Sequence, residues 1–88
     1  MARMSMGELG TEVAALAGAP DALFELGMFY ATGLEVEPDL VTAHKWFNLA
    51  AARGNQSAQI YRRELALEMA PEQIAEAQKL AREWLQTN

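Results

Sequence analysis

Apolar residues recur along this chain at helical spacing, and nowhere do they alternate strictly enough to mark a strand. Ala22, Leu26 and Tyr30 stand four apart and predict a helix over 20–32 with one buried stripe. Leu40, Ala43, Phe47, Ala50 and Gly54 draw the answering stripe on a second helix over 39–53. A fourth segment, 56–69, carries Ala58, Tyr61, Leu65 and Met69. A fifth, 72–86, sets Ile74, Ala77, Ala81, Trp84 and Leu85 against Glu72, Glu76, Lys79 and Glu83. With a first helix over 7–17, this makes about five helices, and their short connections predict antiparallel neighbours. Met1 to Met6 carries no pattern and is expected to fray.

The punctuation agrees with the stripes. Gly33 is placed to end one helix in the left-handed conformation. Pro38 with Asp39 opens the next, proline at the first helical position and the acid at the positive helix end. Between Glu35 and Glu37, which stay in water, Val36 is expected to tuck under the hairpin. Gly27 lies inside a helix, where glycine costs about 1 kcal/mol against alanine, so its use is close approach of a neighbour. Ala50 and Ala51 offer a matching flat surface. Pro71 and Glu72 start the last helix behind Ala70, a poor cap.

The chain also repeats itself. Ala14, Ala15, Gly18 and Ala22 reappear as Ala50, Ala51, Gly54 and Ala58, 36 positions later. In the earlier copy Gly10 and Thr11 stand where Trp46 and Phe47 do. In the later one Arg62 and Arg63 replace Leu26 and Gly27, Ala66 replaces Tyr30, and the last helix aligns at an offset of 34, with Ala77 on Ala43 and Leu80 on Trp46. Two residues have gone from that turn.

The series Ala22, Leu26-Gly27, Tyr30, Gly33, Val36, Asp39, Ala43, Trp46-Phe47, Ala50-Ala51, Gly54 and Ala58 resembles the Sel-one-like repeat, a relative of the tetratricopeptide hairpin. The resemblance implies an all-α domain of stacked antiparallel helical hairpins. It divides the chain into a truncated capping unit (7–18), a complete repeat (19–54) and a degenerate one (55–86). Proteins of this kind are typically adaptors, in bacterial signalling, envelope and host-contact systems and in eukaryotic membrane-associated complexes. A protein-protein interaction module without catalytic activity is what the resemblance implies here. One complete unit does not make an extended superhelical groove.

Composition narrows the classes. The 88 residues are 51% hydrophobic with three prolines, which suits one small helical domain. A net charge of −5 disfavours nucleic acid as a partner. Without cysteine there is no disulfide, thiolate nucleophile or cysteine zinc site. No apolar run is long enough to span a bilayer, and Glu8 and Glu12 interrupt any signal-peptide core, so a cytoplasmic location is expected, with the periplasm also open.

Candidate chemistry is sparse. His44 is the only histidine; it flanks the buried stripe and reads as a partly exposed surface residue, with no second ligand or nucleophile beside it. The pairs Glu64 with Glu68 and Glu72 with Glu76 read as solvated faces, and no glycine-rich phosphate loop occurs, so no metal or cofactor is expected. At about 100° per residue, Phe24 and Met28 fall opposite the main stripe of their helix, as do Ile60 and Leu67 of theirs. Such residues contact the adjacent repeat or line a partner-binding groove, which Arg62 and Arg63 would rim and where they would pair with a partner's carboxylates. A homodimer through these faces is one expectation. Two other readings stay open: a structural oligomerisation domain, and an enzyme or small-ligand sensor using His44.

Overall fold

The computed structural model describes residues 13–33 and 37–87. The expectations for Val36 and Glu35, for the start of the first helix and for Met1 to Met6 lie outside the described residues. The chain is all-α. In order, its helices are α1, of which 13–16 is described, α2 (Pro20–Thr32), α3 (Leu40–Ala52), α4 (Gln56–Ala66) and α5 (Pro71–Thr87).

The internal repeat is visible in the backbone. At the end of α1, the Ala19 and Gly18 amides donate to the Ala14 and Ala15 carbonyls at 3.0 and 2.9 Å. At the end of α3, those of Asn55 and Gly54 donate to Ala50 and Ala51 at 2.9 and 3.1 Å. Both glycines have positive φ, +84° and +103°, so each copy ends in the same left-handed cap. Sequence similarity at a fixed offset has become the same set of hydrogen bonds.

The α2/α3 hairpin closes as its glycine predicted, against a different partner. A Cβ on Gly27 would sit 2.4 Å from two carbons of the Phe47 ring, so the aromatic face lies directly on the α2 backbone. Phe47, not the flat pair Ala50 and Ala51, is what Gly27 admits; the two alanines are buried elsewhere in the same core. Gly33 caps α2 at φ +66°, and the Asp39 amide then donates to the Tyr30 carbonyl at 3.0 Å. Asp39 is the N-cap of α3: its carboxylate accepts from the Thr42 amide at 3.0 Å and the Thr42 hydroxyl at 2.7 Å. Pro38 therefore stands one residue outside the helix rather than at its first position, because Asp39 needs the extended backbone that capping requires.

Helix α3 is the axis of the molecule and packs against α2, α4 and α5, whereas α4 and α5 touch each other only sparsely. Phe47, Leu23 and Leu49 are fully buried around it. Trp84 of α5 meets Trp46 of α3 edge-on at 6.1 Å, and Ala77 and Ala81 lie buried on the same side of α5. Helix α4 is shorter than its periodicity suggested. It ends at Ala66, after which Leu67, Glu68 and Met69 donate to carbonyls three residues back. That tighter turn swings Leu67 into solvent and Met69 into the core.

Candidate functional site

The six residues expected at a partner surface do not form one face. Phe24 is half-buried in an aromatic cluster, 5.7 Å from the Phe47 ring and 5.4 Å from Tyr61. It bridges α2, α3 and α4, and so belongs to the packing between successive units. Met28 also packs against the core. Ile60 of α4 and Leu67 of the turn that ends it are 55% and 85% exposed, and Arg63, between them in sequence, is exposed as well. Arg62 is half-buried and turned inward: its guanidinium donates to the Asn48 amide oxygen at 3.1 Å.

His44 corrects the reading of it as a partly exposed surface residue. It is 3% exposed, because α4 and α5 both close over the side of α3 that carries it. The Asn48 amide nitrogen, one turn along α3, donates to His44 Nδ1 at 3.0 Å. The three side chains fix one another. A guanidinium only donates, so Asn48 presents its oxygen to Arg62 and its NH2 to the ring; Nδ1 then accepts, and the ring proton sits on Nε2. Burial first, and the Arg62 charge second, hold the imidazole below its ordinary pKa. His44 is thus neutral, and its lone pair is already occupied.

Where α4 and α5 stand apart, a cleft of about 360 Å³ opens with this trio in its wall. His44 and Asn48 come from α3, Arg62, Arg63 and Ala66 from α4, and Ile74 and Gln78 from α5. Among the described residues no carboxylate lines it. A second, apolar depression of about 250 Å³ shares Asn48 and Gln78 and continues along α3 and α5 past Leu49, Ala52 and Leu85. Among the described residues no group of three or more metal-ligating side chains converges, and no helix is long and apolar enough to cross a membrane.

Sequence reasoning selected Arg62 and Arg63, weighed His44 but took it for a surface residue, and missed Asn48 and Gln78. The signal available was the i, i+4 spacing of His44 and Asn48 beside the buried stripe.

Comparison with known families adds one finding: residues 20–55 match the family model of the Sel1 repeat. That segment is similar to a Sel1 repeat. The matched segment is α2, α3 and the start of the next unit, whose closing contact is Gly27 on Phe47. Neither the curated proteins nor the solved structures give a significant match. The cleft lies beyond the matched hairpin, with its floor on the outer side of α3 and its walls in α4 and α5.

Proposed function

We propose that this chain is a protein-protein interaction module of the Sel1 type, an adaptor rather than a catalyst, contacting its partner through α4. The observation that carries this reading is the outer side of α4. Ile60 and Arg63 stand exposed on a helix whose other side is committed to the core, Leu67 stands exposed in the turn that ends it, and the matched hairpin packs behind the helix through α3.

His44 does not favour an enzyme. A general base needs a free lone pair near a reacting group, and Nδ1 is taken by Asn48. The described residues of the cleft lining offer neither a hydroxyl or thiol nucleophile nor a carboxylate.

The test is a crosslinked pull-down from cells with wild-type and Leu67→Glu baits. The expected result is a discrete partner captured by the wild type and lost with the variant, whose helical circular dichroism is unchanged because Leu67 is exposed. Identical capture by both baits would overturn the assignment to α4. The same stripe offers a route to self-association, since an exposed apolar patch paired with its own copy gives a two-fold dimer. Sedimentation over a wide concentration range, with Leu67→Glu as the control, separates that mode from a heterologous one.

A further inference from the structure

We propose that the cleft between α4 and α5 receives the carboxylate of a glutamate or aspartate side chain from a partner segment lying along α4. This rests on the interaction-module reading and names the chemistry that the partner must present.

The cleft has more donors than acceptors. Arg62 gives one N–H to Asn48 and keeps the rest of its fork; Arg63 and the Gln78 amide bring more. Of the side-chain acceptors in the described wall, Asn48 Oδ1 and His44 Nδ1 are used within the trio, and the Gln78 amide, which can turn its NH2 inward, supplies the third. Among the described residues no carboxylate lines this space, so its described lining is basic, on a protein of net charge −5. A guanidinium fork suits a planar anion, and a carboxylate would receive charge-assisted hydrogen bonds there.

The surroundings favour a single charge carried on a peptide. His44 is neutral, so the pocket offers two cations, of which Arg62 is partly committed to Asn48, a poor match for a dianionic phosphate. Ile60 and Leu67 flank Arg63 in sequence, on α4 and in the turn that ends it, so a segment that covers them passes the mouth of the cleft. Such a segment needs aliphatic residues around one acid.

The chain carries its own reporter. His44 is its only histidine, so its ring signals in an NMR pH titration are unambiguous. A carboxylate in the cleft opposes the Arg62 charge and should raise the His44 pKa. The probes are acetyl-Ala-Leu-Glu-Ala-Leu-Ala-amide and its Gln counterpart at millimolar concentration, with acetate and inorganic phosphate as free anions. The expected result is an upward shift with the Glu peptide alone, and binding weakened about tenfold by the exposed-site variant Arg63→Gln.

Equal responses to the Glu and Gln peptides, or no response to either, would overturn the proposal. An equal shift with acetate or phosphate would make the cleft a general anion site and overturn the partner claim. A shift produced by concentrating the chain alone would assign the acid to a second copy. A chain that ignores the Glu peptide while keeping Leu67-dependent capture loses this inference and keeps the function; one that loses that capture too loses both.

Discussion

The two hairpins of this chain begin from related sequences and end in different states. In α2/α3, Gly27 lets the Phe47 ring lie on the backbone, and the pair closes. At the matching positions of α4/α5 stand Arg63, at an offset of 36, and Ala81, at an offset of 34. The glycine that admitted a ring has become a long cation, and the ring has become a methyl group. The second pair does not close, and its arginines line the gap that remains. The difference teaches that one small-large contact decides between a sealed hairpin and a cleft on the same helical framework.

Removing the large half of the closing contact should have the largest effect. Phe47 is fully buried among Gly27, Phe24 and Tyr61, so Phe47→Ala is expected to destabilise by about 3 to 5 kcal/mol in urea unfolding. A loss under about 1 kcal/mol would mean that the two hairpins do not differ in this contact. Filling the small half comes next. Gly27→Leu drives a side chain into the ring and should cost about 1 to 3 kcal/mol, and wild-type stability in that variant would place Gly27 in solvent.

The open hairpin can be strengthened where its cap is incomplete. The Ala70 amide donates to Gln73 Oε1 at 2.9 Å, half of a capping box whose reciprocal hydroxyl is missing. Ala70→Ser supplies it and should stabilise by about 0.5 to 2 kcal/mol, read as a higher urea midpoint. An unchanged midpoint would mean that α5 gains nothing from its first turn.

The smallest expected effect is in pH. The folded imidazole of His44 has a lowered pKa, so as pH falls the unfolded chain takes up this proton first. Stability from neutral His44 is therefore fully present above about pH 6.5 and is lost as pH falls from there through the folded-state pKa. Urea midpoints of wild type should drop more over that window than those of His44→Gln. Parallel profiles would show that the trio in the cleft wall adds no pH dependence.

The closed hairpin was legible because its signals are local. Gly33, Asp39 and the four-residue spacing of Ala22, Leu26 and Tyr30 each act within a turn or two of their own positions. The partner of Gly27 was missed because choosing Phe47 over Ala50 and Ala51 depends on how α3 is rotated, which no short window contains. The end of α4 was misplaced because Leu67 and Met69 continue the apolar pattern and no glycine or proline interrupts it before Pro71. The burial of His44 was invisible for a related reason. Its cover comes from two later helices, and their spacing follows from a contact that the second hairpin lacks.

The edge-on pair of Trp46 and Trp84 determines what an optical experiment sees. These are the chain's only tryptophans, and both sit where α5 docks on α3. Their emission reports the attachment of the last helix and is nearly silent about the glycine-sealed hairpin, whose aromatic neighbours are phenylalanine and tyrosine. A denaturation curve followed by tryptophan fluorescence measures undocking, while far-ultraviolet circular dichroism weighs all the helices together. If the two curves separate, the last helix leaves α3 before the matched hairpin unfolds.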